Sequence, residues 1–287
     1  SSSTKNLSYV LNTIVCVFAS GSIDDETFVI NKKDADRATT VIEVRGGTFK
    51  NFNPANNPAE GAGTNFVAAG YKAVETATGV WEVISAKVST PAEFAAAIAQ
   101  GGEVILSDNI ALDETLMVEA GNDVTIDLNG KTIEVIGDNV ELEKGDAIIV
   151  YGNLTLKGEG TVKGNTRAVW ARGENSKITI EGGNYIGASV DAAKCEVIYA
   201  SGKNAKIEIK GGTFEAKYLA EGFAAPQYAV LNLYSNGANG CDIVVYGGTF
   251  VGFNPSDNIS ENPKKDFVAA GYQAVETSTG VWTVSAL

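Results

Sequence analysis

The side chains that could carry out a reaction are few in this sequence. Histidine is absent, which removes the commonest general base and the commonest metal ligand. The acidic pair Asp24 and Asp25 lies in a turn-like segment, SIDDETF, where we expect solvated side chains rather than catalysis. The three cysteines, Cys16, Cys195 and Cys241, follow no CxxC spacing and predict small buried residues. We therefore assign no catalytic residue, no metal site and no cofactor from the sequence.

One group of residues could recognise a sugar. If Arg172 points outward from the segment AVWAR, strand alternation places Trp170 on the same face. The following repeats offer Tyr199, then Asn232 and Tyr234, at matching positions. Such a column of aromatic rings beside a guanidinium could stack on and hydrogen-bond a glycan. The alternative is ordinary aromatic stacking on a long sheet, or contact with a neighbouring end cap.

Charge and hydropathy exclude other partners. The formal net charge is −13 and the sequence pI is about 4.5, so the chain repels phosphate backbones and we expect no nucleic-acid partner. The apolar run at residues 9–19 is too short to span a membrane and is broken by polar residues, so it predicts a strand and no membrane insertion.

Repeated strand motifs must position these residues. Alternating apolar segments, each ending in a glycine turn, recur at 42–49, 124–133, 154–162, 178–185, 207–214 and 243–250. A second set of short strands precedes four of them, at 147–153, 168–175, 197–204 and 229–237. Repeats of this length with several short strands each are typical of a β solenoid.

Alternation then predicts three interior columns, one residue per repeat. The first is Ile126, Leu154, Ile178, Ile207 and Ile243; the second is Leu128, Leu156, Ile180, Ile209 and Val245; the third is Ile133, Val162, Tyr185, Phe214 and Phe250. An outward column of alternating charge, Lys157, Glu181 and Lys210, supports the same register.

One segment predicts a helix, at residues 90–100. Thr90 is a suitable N-cap, Pro91 occupies the first helical position, Glu93 completes a capping box and Gly101 ends the helix. Because the end of a solenoid exposes core and strand edges, we interpret this helix as the N-terminal cap of a stack.

A long passage occurs twice, at residues 46–84 and 247–285, with most positions identical and no insertion or deletion between the copies. We interpret each copy as an end cap that finishes in a hairpin, with Trp81 and Trp282 as buried capping aromatics. The sequence therefore predicts two units: 1–85, the last coils and end cap of a β-helix, and 86–287, a complete unit whose end cap is 247–287.

Helix 90–100, the following segment DLNGKTI, and the GGTF, FNP and FVAAGY motifs resemble a known family. They are similar to right-handed, single-stranded parallel β-helix proteins of the pectate-lyase-like superfamily, in tandem modules like those of surface or phage-associated proteins of gut Bacteroidetes. The resemblance implies an all-β fold and a location outside the cell, at a cell surface or on a phage particle.

The enzymes of that superfamily carry clustered aspartates, histidine or basic motifs that have no match here. We expect a non-enzymatic structural or adhesive module, a stalk, fibre or adhesin. The alternative is a carbohydrate-binding or polysaccharide-degrading β-helix of lyase or tail-spike type. The expected partners are a glycan or neighbouring copies of the module, which could associate end to end.

Overall fold

The computed structural model describes residues 6–10, 13–18, 22–23, 29–32, 40–137, 140–141, 143–189, 196–218, 230–258, 260 and 265–287, with only the backbone described for the residues within 6–23 and for Tyr218. The chain folds as two compact units, Ser1–Lys87 and Val88–Leu287. The sequence predicts the division two residues earlier, between 85 and 86. The acidic pair at 24–25 lies outside the described residues.

The chain is mostly β, with about 49 % strand and 6 % helix. The strands of the first unit are β1 Asn6–Val10, β2 Thr13–Phe18, β3 Ser22–Ile23, β4 Thr40–Val44, β5 Gly47–Lys50, β6 Tyr71–Ala77 and β7 Val80–Ser85. They form a three-stranded sheet, in the order β1-β2-β4, and a four-stranded sheet, in the order β3-β5-β7-β6.

The remaining elements begin at the boundary of the units. They are β8 Lys87–Val88, α1 Pro91–Gln100, β9 Gly102–Leu106, β10 Ile110–Leu112, β11 Leu116–Val118, β12 Asp123–Asp127, β13 Lys131–Val135, β14 Ile148–Val150, β15 Asn153–Lys157, β16 Gly160–Gly164, β17 Val169–Ala171, β18 Lys177–Ile180, β19 Asn184–Ser189, β20 Ile198–Ala200, β21 Lys206–Ile209, β22 Thr213–Tyr218, β23 Leu231–Leu233, a 3₁₀ helix Tyr234–Gly237, β24 Asp242–Val245, β25 Gly248–Val251, β26 Tyr272–Ser278 and β27 Val281–Ala286.

Successive repeats of the second unit each give one strand to each of three sheets. Sheet I has the order β24-β21-β18-β15-β12-β9-β8, sheet II has β10-β13-β16-β19-β22-β25-β27-β26, and sheet III has β11-β14-β17-β20-β23. Neighbouring repeats pair in parallel in all three sheets, for example β15 with β18, β16 with β19 and β17 with β20.

The predicted fold class, a right-handed single-stranded parallel β-helix, is wrong. The sheets are separate, parallel and antiparallel pairing occur together, and none of the sheets closes into a solenoid. The predicted hairpins are confirmed at β6–β7 and β26–β27. Each hairpin also pairs antiparallel with the strand before it, β7 with β5 and β27 with β25. Alternation in a sequence shows which residues face inward, but it does not show in which direction the neighbouring strand runs.

The predicted helix is confirmed at Pro91–Gln100. The Thr90 hydroxyl accepts a hydrogen bond from the Glu93 backbone N–H, and the Glu93 carboxylate accepts from the backbone N–H groups of Ser89 and Thr90. The bond from the Ser89 backbone is the main reason that the pKa of the Glu93 carboxyl lies below its usual range. Phe94 and Ile98 are buried, so the helix covers the first repeat with its apolar side.

The interior columns are confirmed in part. The third column pairs as predicted, from Ile133 through Phe250. In the first column, however, Leu154 pairs with Val124 rather than Ile126, and in the second Ile126 rather than Leu128 pairs with Leu156. The turn between β12 and β13 is longer than the turn between β15 and β16, and Leu128 lies in it, fully buried.

The two copies of the repeated passage form matching loops and hairpins. A buried asparagine closes each polar loop: the Asn57 amide donates to the Thr64 carbonyl and the Asn258 amide to the Lys265 carbonyl, both at 2.9 Å. Trp81 and Trp282 are partly buried and pack against the hydrophobic cores of their units. They lie opposite the buried rings of Phe49 and Phe250.

Candidate functional site

The predicted sugar-binding residues lie at the C-terminal half of sheet III. Trp170, Tyr199 and Asn232 pair in register on β17, β20 and β23, so they do form one column. Arg172 follows the end of β17, and Tyr234 follows the end of β23, two residues beyond the column in each case. The structure therefore brings all five residues to one region of the second unit.

Trp170 does not present an open ring at this site. Its side chain is buried, with 7 % of the residue exposed. The guanidinium carbons of Arg167 and Arg172 lie 4.7 and 4.6 Å from its ring centroid. Its indole N–H donates to the Ser201 hydroxyl at 2.7 Å. The ring is thus occupied by contacts within the chain and is not free to stack on a sugar.

Arg172 is also engaged. Its Nη1 lies 2.5 Å from Oε1 of Glu143, in the segment before β14. Its guanidinium also lies 6.0 Å from the ring centroid of Tyr151. The side chains of this ion pair are partly exposed, so Arg172 links neighbouring repeats near the surface.

A buried column of charge lies beside these aromatics, and the sequence reasoning missed it. One charged residue lies two positions before the start of each of three successive strands: Asp146 before β14, Arg167 before β17 and Glu196 before β20. Their exposed fractions are 0, 5 and 7 %, respectively. The signs alternate along the column, minus, plus, minus. The signal in the sequence is one charged residue at this fixed position in three successive repeats, with alternating sign.

Arg167 connects the column. Its Nε donates to Glu196 Oε2, and its Nη1 lies 3.4 Å from Asp146 Oδ1. Asp146 also accepts from the Thr166 hydroxyl at 2.7 Å and from the Arg167 backbone N–H at 3.2 Å. The Asn232 amide donates to Glu196 Oε1 at 2.5 Å and so extends the network to β23. Burying these charges is tolerated because every one of them has an oppositely charged or hydrogen-bonding partner.

Two tyrosines form the more accessible part of the site. The Tyr199 ring lies 5.6 Å from that of Trp170, and the Arg167 guanidinium lies 4.8 Å from the Tyr199 ring centroid. Burial, together with the nearby Glu196 carboxylate, raises the pKa of the Tyr199 phenol to about 12. Tyr234 is 51 % exposed. It precedes two residues in left-handed conformation, Ser235 and Asn236, with φ of 47° and 57°.

Outward charges also pair between repeats. Lys157 Nζ lies 2.8 Å from Glu103 Oε1, and this hydrogen bond is the main reason that the pKa of Lys157 is raised. Lys210 Nζ lies 3.7 Å from Glu181 Oε1 on the preceding repeat. The predicted alternation of sign therefore produces an ion pair between Glu181 and Lys210, while Lys157 reaches Glu103 instead.

Within the described ranges, no group of three or more histidine, cysteine, aspartate or glutamate side chains is placed to hold a metal ion. Cys241 is buried and unbonded to another sulfur, and its thiol donates to the Ala200 carbonyl at 3.3 Å. The side chains of Cys16 and Cys195 lie outside the described residues. No helix in the described part of the chain is long and apolar enough to cross a membrane.

No family model, no curated protein and no solved structure matches this chain. The resemblance to the pectate-lyase-like superfamily therefore stays a prediction from motifs, and the function must be argued from the site.

Proposed function

We propose that this chain is a non-enzymatic structural or adhesive module that lies outside the cell, on a cell surface or on a phage particle. Its partners in this proposal are neighbouring copies of the module, docked end to end, or a glycan. The charged side chains of the second unit support this proposal, because a reaction needs such groups to be available to a substrate.

The observation that carries the proposal is the charge column Asp146, Arg167 and Glu196. A general acid or base must be able to exchange a proton with a substrate, and a nucleophile must be able to approach one. Here both carboxylates are directed at one guanidinium and are almost fully buried. The column instead links successive repeats, as does the Glu181–Lys210 pair on the outside. Charge is used for cohesion, which is what a stalk or fibre requires.

Carbohydrate degradation is the competing function, and a direct assay separates the two. The full chain would be incubated with neutral, acidic and amino polysaccharides, and new reducing ends and unsaturated products would be measured. A known polysaccharide lyase and a known hydrolase serve as positive controls. We expect no product from any polysaccharide.

Sustained turnover of any polysaccharide would overturn the non-enzymatic proposal, provided that the activity co-purifies with the chain. The Glu196→Gln variant locates such an activity. Loss of turnover in that variant would place the activity in the charge column, and retention would place it elsewhere in the chain.

A further inference from the structure

We propose that Tyr199, Ser201, Asn232 and Tyr234 form a binding surface for a neutral oligosaccharide. This inference rests on the adhesive form of the proposed function and gives that adhesion a ligand class. It also narrows the sugar-binding column expected from the sequence, because Trp170 and Arg172 are taken up by contacts within the chain.

The two tyrosines are spaced for two stacking contacts. Tyr199 pairs with Asn232 across one strand spacing, and Tyr234 lies two residues further along the chain. One strand spacing and two residues of extended chain place the two Cα atoms about 8 Å apart. Tyr234 is 51 % exposed and Tyr199 is partly exposed. The Tyr234 ring supplies the open stacking face, and the exposed part of the Tyr199 ring, which also contacts Trp170 and Arg167, supplies the second contact to a neighbouring sugar unit.

Polar groups between the rings supply hydrogen bonds. Asn232 is partly exposed and its amide nitrogen donates to Glu196, so its carbonyl oxygen is the acceptor that this side chain offers. The Ser201 hydroxyl accepts from the Trp170 indole, which leaves its own hydrogen to donate. One acceptor and one donor beside aromatic rings match a sugar, which carries hydroxyl groups at the edge of an apolar ring face.

The charge around the surface selects a neutral ligand. The two guanidinium groups, Arg167 and Arg172, are matched by three carboxylates, Asp146, Glu196 and Glu143. Among the described residues of this surface, both guanidinium groups are thus engaged with carboxylates, and the chain as a whole carries −13. An acidic sugar would therefore meet repulsion and no compensating ion pair.

The exposed apolar residues argue against a protein partner at this surface. Among the described residues, the large exposed side chains are scattered on separate elements: Val41, Met117, Ile136, Tyr234, Val275 and Leu287. A protein interface has a contiguous apolar core, and Tyr234 has no exposed large apolar neighbour on its own element. The left-handed backbone at Ser235 and Asn236 is unusual for residues other than glycine, and it turns the chain directly after the exposed ring.

The test is binding of the full chain to gluco-, manno-, galacto- and xylo-oligosaccharides and to oligouronates, by glycan array and then by titration calorimetry. Tyr234→Ala is the main variant, since an exposed ring can be removed with little effect on folding. Val275→Ala is the matched control, because it removes an exposed apolar side chain on β26. We expect binding to at least one neutral oligosaccharide, a loss of affinity of about tenfold in Tyr234→Ala and less than twofold in Val275→Ala.

Three results would overturn the inference: no binding to any neutral oligosaccharide, binding confined to oligouronates, or equal affinity in Tyr234→Ala and the unchanged chain. The same samples are assayed for cleavage products. Cleavage would refute the non-enzymatic proposal, whereas absence of binding without cleavage would refute only the sugar-binding surface.

Discussion

Replacing Arg167 by methionine tests whether the buried charge column holds the repeats of the second unit together. The change keeps an apolar side chain of similar length but leaves Asp146 and Glu196 without their shared cation, with 0 and 7 % of each residue exposed. Removing one partner of a buried ion pair costs about 3–5 kcal/mol, because an uncompensated charge stays in a poorly solvated place. We expect the free energy of unfolding of the second unit to fall by about that amount.

The matched control is Lys210→Met, which breaks an ion pair between adjacent repeats on the outside of the unit. The side chains of Lys210 and Glu181 are 48 and 44 % exposed, so we expect a loss of no more than about 1 kcal/mol. Native-state hydrogen exchange on the amides of β17 and β20 measures the second unit by itself.

Equal losses in Arg167→Met and Lys210→Met would refute the reasoning that burial makes the column important. A third variant, with Asp146→Leu, Arg167→Met and Glu196→Leu together, separates charge from packing. It should recover most of the lost stability, because replacing a whole buried ionic group with apolar residues is often neutral. A triple variant as unstable as Arg167→Met alone would show that shape rather than charge is decisive.

Two further predictions concern alkaline stability and close packing. Because the pKa of Tyr199 is raised from 10 to about 12, the contribution of its neutral phenol to folding stability is fully present below pH 10 and is lost as the pH rises through 12. In chemical denaturation, Tyr199→Phe should therefore lose less stability between pH 10 and 12 than the unchanged chain. An unchanged dependence of stability on pH would contradict the assignment. In Gly164→Ala the added Cβ would lie 1.8 Å from the Arg167 carbonyl oxygen, so we expect the free energy of unfolding to fall by about 3 kcal/mol or more. Gly137 has a φ of 81° and nothing within 4 Å of an added Cβ, so Gly137→Ala should lose about 1–2 kcal/mol through backbone strain alone. Thermal unfolding measures both variants, and similar losses would show that backbone strain outweighs the clash.

Local features of the fold could be predicted from the sequence where a single residue type decides the geometry. The helix beginning after Thr90 follows from a capping box and a proline, and both are visible in the sequence. The pairing of Ile178 with Ile207 and of Tyr185 with Phe214 follows from alternation. The hairpin that ends each repeated passage is predicted correctly, whereas the antiparallel pairing of that hairpin with the preceding strand and the separation of the sheets could not be obtained this way, because alternation is the same for parallel and antiparallel neighbours.

The errors in the first repeat and in the site have physical causes. The predicted register of β12 is wrong because Leu128 lies in a turn rather than in a strand, and its apolar character resembles that of a strand position. Trp170 does lie on the outward side of β17, as alternation predicts, but two guanidinium groups cover it. Strand alternation assigns a side chain to a face, whereas exposure depends on what the rest of the chain packs against that face.

The third interior column has a consequence for how such a unit can grow. Its first two predicted members, Ile133 and Val162, are aliphatic, whereas Tyr185, Phe214 and Phe250 are larger aromatic residues whose rings stack with centroids 5.1 and 5.0 Å apart. The repeats are therefore graded in volume and are not interchangeable. A copy of an early repeat inserted late would leave a cavity, and a late repeat inserted early would be overpacked. The insertion of a single repeat is therefore expected to destabilise the second unit wherever the inserted side chain differs in size from its new neighbours in this column.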